Sequence, residues 1–419
     1  MGTSRLPVDQ DRMWNDVMAL AAITDPDRPY TRRSFSQRFL EGRDWLRRRF
    51  EDAGLSVRLD QAANLIGRLE GTEAGAPPIM LGSHSDTVPS GGRFDGIAGV
   101  IVALEIVRAM KDAGYRSRHP IEVVDFLAEE PSEYGISCVG SRAMAGALDD
   151  KMLAYTNAAG EKLADAIRRV GGNPERLAEA RRSDIAGFLE LHIEQGLVLQ
   201  NNKIDLGLVT AIVGITRIEV IYKGEADHAG ATPMDYRHDA SLAAAQLILF
   251  VNRAARELAE QGKGYFVATT GIIDIHPNAS NVVPGQARLV FDIRAEDYAL
   301  VADFKAALER ESRAIAQRER VELARYAILS DTQPTACDAH LRDLLGRGAE
   351  RHGFSAMTLA SGAGHDAAFV AKIAPSAMLF IPCRDGKSHA PEEWTEPEQI
   401  AAGATAIFEA VRLLDGHNS

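Results

Sequence analysis

Residues 121–130 read IEVVDFLAEE, and this stretch decides the fold. A nearly continuous apolar run is expected of a strand buried on both faces, as in a parallel sheet covered by helices. The run ends in two adjacent acids. On a continuing strand Glu129 and Glu130 would face opposite sides, so both can address one site only if the chain turns there. Similar runs lie to either side: PIMLGSH (78–84) before it, GFLELHI (187–193) and SAMLFIP (376–382) after it. Between 84 and 121 stand a Gly-rich loop and an apolar helix, 97–113, stopped by Gly114. Helical spacing recurs through 13–23, 39–50, around 145–182, near 338–352 and near 397–414, with short β-rich runs at 55–60 and 64–71. This alternation predicts an α/β fold with a mostly parallel sheet.

The middle of the chain has another rhythm. RIEVIYKG (217–224) alternates as a half-buried strand, 240–258 is helical, YFVATTGIIDI (265–275) and ARLVFDIR (287–294) are strands, 298–318 is helical, and VELARYAI (321–328) is a strand. The order β-α-β-β-α-β is the ferredoxin-like one. It predicts a domain over 213–328 inserted into a catalytic domain made of 1–212 and 329–419.

The 419 residues carry 47 Lys+Arg against 59 Asp+Glu, a formal charge of −12. An acidic chain without a basic block is ill suited to nucleic acid. With 46% hydrophobic and 25% charged residues, disordered and collagen-like classes are excluded. Cys138, Cys337 and Cys383 show no CxxC spacing, which argues against a disulfide framework or a thiolate zinc site and suits a reducing compartment. The opening MGTSRLPVDQ lacks the apolar core of a signal peptide, and Leu6 stands where a myristoylation signal has Ser or Thr. The greasiest stretch, 240–251, is interrupted by Ser241 and Gln246 and is too short to span a bilayer. The expectation is a cytoplasmic protein with neither membrane nor nucleic acid as a partner.

Ligands of open α/β sheets bind beyond the carboxyl ends of the strands. Those ends deliver His84 and Asp86, then Asp95 in the loop GGRFDG; Glu129 and Glu130; His192 and Glu194; and, after 376–382, His389. Each alone reads as an ordinary loop histidine or a solvated acid. Together they are imidazoles and carboxylates without thiolate, a donor set for Zn²⁺, Co²⁺, Ni²⁺ or Mn²⁺. There are enough for two ions, and a two-ion site needs a bridging carboxylate. Asp95 is the natural bridge. Asp86, two residues after His84, is expected on the same strand face with its carboxylate orienting the His84 ring. With Glu130 as a ligand, Glu129 is left as a carboxylate beside the ions, where a general base belongs.

The runs GSHSDTVPSGGRFDG (82–96), AEEPSEYGISCVGSRAMAG (128–146), LELHIEQG (189–196), ADHAGATPMDYRHDA (226–240), NASNVVPG (278–285), SGAGHDA (361–367) and SHAPEEWT (388–395) resemble the M20 metallopeptidase-like amidohydrolases. The likeness is to the hydantoinase/carbamoylase branch, comprising N-carbamoyl-L-amino-acid hydrolases, β-ureidopropionases and allantoate amidohydrolases. It implies two divalent ions per subunit, Zn²⁺ first, with Mn²⁺, Co²⁺ or Ni²⁺ as alternatives. One ion would be held by His84, Asp95 and His192, the other by Asp95, Glu130 and His389. Glu129 would be the general base and acid. It further implies a homodimer built through the inserted domain, with His228 reaching the partner's site. Gln195 would contact the ureido group, and Asn281 and Arg294 the substrate carboxylate. Arg294 also ends an apolar strand, a rigid fork suited to a carboxylate. His365 and Asp366 in SGAGHDA are open between substrate positioning, support of the site and capping of a helix beginning near 366. Cys138 and Cys383 read as small buried residues.

One departure stands out. Where many relatives carry a Gly-Ser-Arg-Phe type sequence after the paired acids, this chain has Pro131-Ser132-Glu133-Tyr134. An acid replaces a base there, which bears on the substrate's side group and not on hydrolysis. The expected reaction is hydrolysis of the carbamoyl C–N bond of an N-carbamoyl-L-amino acid to amino acid, ammonia and CO₂. Allantoate amidohydrolase and β-ureidopropionase are the alternatives, with an aminoacylase or peptidase disfavoured by His192 and Gln195. A binding protein without activity is disfavoured by the intact ligand set.

Overall fold

The computed structural model describes residues 7–416. Leu6 and the residues before it, read above for a leader or lipid signal, lie outside that range. The strands in chain order are β1 (Ser56–Leu59), β2 (Leu65–Leu69), β3 (Ile79–His84), β4 (Ile121–Phe126), β5 (Gly187–Ile193), β6 (Leu206–Ile212), β7 (Gly214–Lys223), β8 (Phe266–His276), β9 (Gln286–Ala295), β10 (Glu322–Asp331), β11 (Thr335–Ala336), β12 (Ala356–Ser361) and β13 (Ser376–Ile381).

One sheet has the order β1-β2-β4-β3-β5-β13-β6-β11, with β12 beside β6. Its centre, β4-β3-β5-β13, is parallel; β1, β2, β6 and β11 pair antiparallel at the flanks. The expected parallel sheet is therefore its centre. Every residue of β3, β4, β5 and β13 is buried, as their unbroken apolar runs require. The chain leaves β3 for β4 on one side and returns to β5 on the other. That reversal puts a crevice at the carboxyl ends of β3 and β5, where His84 and His192 stand. The helix Ile97–Asp112 is buried nearly all round, and burying each of its large aliphatic side chains contributes about 1.5–3 kcal/mol. Its buried acid, Glu105, is held by the Arg12 fork through two contacts of 2.7 Å.

A second sheet, β10-β7-β9-β8, is antiparallel throughout. With the helices Ala240–Glu260 and Tyr298–Arg318 it has the chain order β-α-β-β-α-β. Its core packs both helices on the sheet, with Tyr222, Leu247, Phe291 and Phe304 buried. The described chain divides into two compact units. The second comprises Ala211–Ala336 with Ala360–Gly364, and the first is the rest. Residues 329–336 thus lie in the second unit, since β10 runs on to Asp331.

The stretch 145–182 is not one helical region. It forms Asp150–Leu153, Leu163–Arg169 and a 3₁₀ turn Pro174–Ala180, interrupted where Gly160, Gly171 and Gly172 fall. Strands β6 and β12 escaped the sequence reading. Among the described residues no helix is long and apolar enough to cross a membrane.

Candidate metal centre

Four strand ends of the first unit build the site. Strand β4 stops at Phe126, where the Leu127 N–H turns to the Asn64 side chain at 3.0 Å and Ala128 takes a left-handed φ of +52°. This is the turn that the paired acids require, and it buries Glu129 and Glu130 on one side of the chain. Asp95 lies just before the helix Ile97–Asp112, after a loop closed by Gly96 at φ +67°. A Cβ on Gly96 would stand 2.4 Å from the His84 ring, so the close approach of loop and ligand needs glycine. Gln195 and His389 also adopt left-handed φ, +58° and +56°. Non-glycine residues there cost roughly 1–2 kcal/mol each, and such strain gathers at functional sites.

Two donor groups share Asp95. Its Oδ1 faces His192 Nε2 at 3.1 Å and His84 Nε2 at 3.5 Å. Its Oδ2 faces His389 Nε2 at 3.2 Å, and that nitrogen lies 3.2 Å from Glu130 Oε1. His84, Asp95 and His192 converge within the reach of one ion, and so do Asp95, Glu130 and His389. The Glu129 carboxylate belongs to neither set; its Oε2 is 3.6 Å from His84 Nε2.

The protonation pattern tests the fit. His84 Nδ1 lies 3.0 Å from the Asp86 carbonyl and His192 Nδ1 2.9 Å from the Ile193 carbonyl. A carbonyl only accepts, so each Nδ1 carries the proton and each Nε2 of a neutral ring offers a lone pair. Both Nε2 atoms are buried without a hydrogen-bond partner and aim at a carboxylate oxygen. Lone pair against carboxylate is repulsive, so each contact calls for a proton on the ring or a metal ion between, and the donor set is the one divalent ions prefer. Burial opposes protonation of His84, yet the charges of Glu129, Asp86 and Asp95 hold its pKa well above the ordinary value. Hydrogen bonds to Asp95 and Glu130 push His389 up to about 11. Burial, with Glu130, Asp366 and Asp95 and against His84, pushes Glu129 well above the carboxylate range. This is a concentration of negative charge awaiting positive charge.

Asp86 does stand beside the His84 ring, though not by way of a shared strand face. Strand β3 ends at His84, so the two residues do not share a strand face, and the His84 ring is nearer the Asp86 carbonyl than its carboxylate, 3.0 against 3.5 Å. The carboxylate also accepts the backbone N–H groups of Glu129 and Glu130 at 3.2 and 3.3 Å. Asp86 therefore fixes the turn that carries the paired acids.

Gln195 donates to Asp95 Oδ2 at 2.8 Å and to Ser388 Oγ at 3.2 Å, while its Oε1 is buried without a partner. Asp366 stands at the N-cap of Ala367–Val370 but makes no capping bond; Ser141 Oγ donates to it at 2.5 Å. The His365 ring meets that of His192 edge to face, centroids 4.5 Å apart. Sequence reasoning missed Glu190, whose Oε1 accepts from Ser83 at 2.7 Å, and the roles of Ser388 and Glu393. Glu190, His192 and His365 form a third convergent group. It shares His192 with the first group, and because Nδ1 of that ring faces the Ile193 carbonyl, the two groups draw on the same Nε2.

In the second unit, Arg294 lines a cavity of about 400 Å³ with Tyr265, Val267, Thr269, Asp292 and Gly362. Its Nε donates to Asp292 at 2.7 Å and its Nη1 to the Gly362 carbonyl at 2.7 Å, so part of the fork is in use. His228 and Asn281 are exposed neighbours, joined by a bond of 2.9 Å from Ala229 N–H to the Asn281 carbonyl. His228 Nδ1 accepts from the N–H groups of Gly230 and Ala231 at 3.1 Å each. Its Nε2 consequently carries the proton and is a donor.

The sequence profile of peptidase family M20/M25/M40 matches residues 80–413. The N-carbamoyl-L-amino acid amidohydrolase of Geobacillus stearothermophilus is 36% identical over 407 residues, covering 96% of this chain and 98% of its own. A ureidoglycolate hydrolase of Oryza sativa subsp. japonica is 34% identical, covering 99% of this chain and 86% of its own. Among solved structures, an amidase of the hydantoinase/carbamoylase family from Burkholderia multivorans superposes with a TM-score of 0.90 at 34% identity, covering 99% of this chain and 100% of its own. The chain belongs to peptidase family M20/M25/M40 and is an amidohydrolase of its hydantoinase/carbamoylase branch.

Proposed function

We propose that this chain hydrolyses the carbamoyl C–N bond of an N-carbamoyl-L-amino acid. The observation that carries this is the pair of donor groups sharing Asp95, with Glu129 beside them and bound to neither. His84, Asp95 and His192 would hold one divalent ion, and Asp95, Glu130 and His389 the other, Zn²⁺ being the first choice. When bound, the ions polarise the carbamoyl oxygen and make water a stronger acid. Glu129 takes the proton of the attacking water and passes it to the leaving nitrogen as the C–N bond breaks and the C–O bond forms. Breaking that one bond leaves a carbamate, which loses CO₂ as its own C–N bond breaks, so the products are ammonia, CO₂ and the free amino acid.

Gln195 Oε1, buried and without a partner, is an acceptor for a ureido N–H. The donor Nε2–H of His228 suits an oxygen gaining negative charge, and it works in the partner's site of a homodimer. The second unit has a face for that dimer: β8 is a sheet edge with Ile272 and Ile273 exposed, and Leu249 of the neighbouring helix is 69% exposed. Arg294 and Asn281 take the substrate carboxylate. The three free, buried thiols suit work in the cytoplasm.

The rice relative favours a second reading, a small ureido acid without an α-amino-acid side chain. A panel of N-carbamoyl-α-amino acids, N-carbamoyl-β-alanine, allantoate and ureidoglycolate, with ammonia as readout, decides. The highest kcat/KM is expected for an N-carbamoyl-L-α-amino acid. Turnover confined to allantoate or ureidoglycolate rejects the first reading.

A further inference from the structure

We propose that Glu393 is a positioning residue that locks the bridging Asp95 to the loop carrying His389, and so sets how tightly the second ion is held. The inference rests on the two-ion reading above.

Glu393 is fully buried, yet it is not part of any convergent donor group. Its oxygens are spent on two loops instead. Oε1 accepts the backbone N–H groups of Phe94 and Asp95 at 2.8 and 3.1 Å. Oε2 lies 2.8 Å from Ser388 Oγ, and the same hydroxyl lies 2.9 Å from Asp95 Oδ2. Glu393 thus holds the backbone of Asp95 and meets Ser388, the residue whose hydroxyl also touches the Asp95 side chain. Ser388 is the residue before His389. One carboxylate therefore ties Asp95 to Ser388, 293 positions apart in the chain, and Ser388 adjoins His389. Gly92 admits it: a Cβ there would stand 1.8 Å from Glu393 Oε1.

The physical case is one of tolerance. A carboxylate that bridges two ions must present both oxygens, and ligand placement is useful only within about 0.5 Å. The two backbone N–H bonds to one buried oxygen are directional and fix the loop, and an amide oxygen in the same place can accept them as well. The Oδ2 side of Asp95, which faces His389, is the side that Ser388 touches. Its loss should loosen the ion held by Asp95, Glu130 and His389 more than the other. Partners of this kind are typically worth about 10–100-fold in metal affinity.

The test is titration of the metal-free full chain with Co²⁺, read by calorimetry and visible absorption. Wild type should take two Co²⁺. Glu393→Ala should lose about 10–100-fold in the weaker step with a changed absorption spectrum. Glu393→Gln keeps an oxygen for the two N–H groups and a donor for Ser388, and should stay within about threefold of wild type. Ser388→Ala should fall between them. A folded Glu393→Ala protein with wild-type affinities and spectrum overturns the inference, as does Glu393→Gln losing as much as Glu393→Ala. If Glu393→Ala does not fold, wild-type affinity in Ser388→Ala overturns it. Wild type taking up fewer than two Co²⁺ would reject the two-ion reading itself.

Discussion

His192 meets Asp95 with Nε2 against Oδ1 at 3.1 Å, while the other nitrogen of the same ring is held by the Ile193 carbonyl. The ring cannot rotate to relieve the contact without losing that bond. The site is therefore built around positive charge, and removing divalent ions should leave buried carboxylates and lone pairs facing one another. We expect chelation to abolish turnover and to lower the unfolding temperature by several degrees, both restored by Zn²⁺. A free ion at 100 times its Kd stabilises by about 2.7 kcal/mol per site. Thermal unfolding with and without chelator checks this, and an unchanged midpoint after proven metal loss would count against the site.

Glu129→Gln keeps the size of the side chain but removes its ability to take a proton. Because Glu129 stands outside both donor groups, the variant should retain its metal, measured by elemental analysis, while kcat falls about 10²–10⁴-fold. Retention of more than about a tenth of kcat would remove Glu129 from the role of general base.

His228→Ala and Glu129→Gln should each be nearly inactive alone. In a dimer with shared sites, one heterodimer site carries both defects and the other neither. Mixing the two variants under conditions of subunit exchange should restore up to about a quarter of wild-type activity, from random pairing of equal amounts. No recovery in a mixture proven to exchange would place His228 in its own subunit's site or outside catalysis.

How much of this was legible in the sequence depends on what kind of signal each part leaves. The strands delivering His84, Glu129, Glu130 and His192 were legible because both-face burial forces an unbroken apolar run, and a polar residue at its end is conspicuous. The β-α-β-β-α-β order was legible from periodicity alone. Strand β6, LGLVTAI, was not, because Gly207 and Thr210 break its apolar run, and periodicity alone does not set it apart from a loop. Neither was the helical stretch 145–182 resolved into short turns, where local spacing outlived the actual helices. Least legible were groups that act on backbone. Asp86 grips the N–H groups of Glu129 and Glu130, and Glu393 that of Asp95 at 298 positions' remove. No spacing rule encodes such pairs; they exist only once the sheet has brought the loops together.

Arg294 offers the sharpest test of the substrate class. The chain's charge of −12 gives an anion no general attraction, so a local cation must supply it. Two of the guanidinium's nitrogens already serve Asp292 and Gly362, which fixes its plane and leaves Nη2 to meet a carboxylate. Truncating one partner of a buried charged pair costs roughly 2–5 kcal/mol, so Arg294→Ala should lower kcat/KM by roughly 30-fold to several thousandfold. Asp292 would still have Arg217 at 3.2 Å, so the fold should survive the change, which circular dichroism can verify. Arg294→Lys should rescue little, because one ammonium cannot hold Asp292, the Gly362 carbonyl and a substrate at once. The loss should shrink for a substrate whose carboxylate is amidated, since that contact is already missing. Equal losses for acid and amide would show that Arg294 does not read the carboxylate, and would turn the proposal from carbamoyl amino acids toward a neutral ureido substrate.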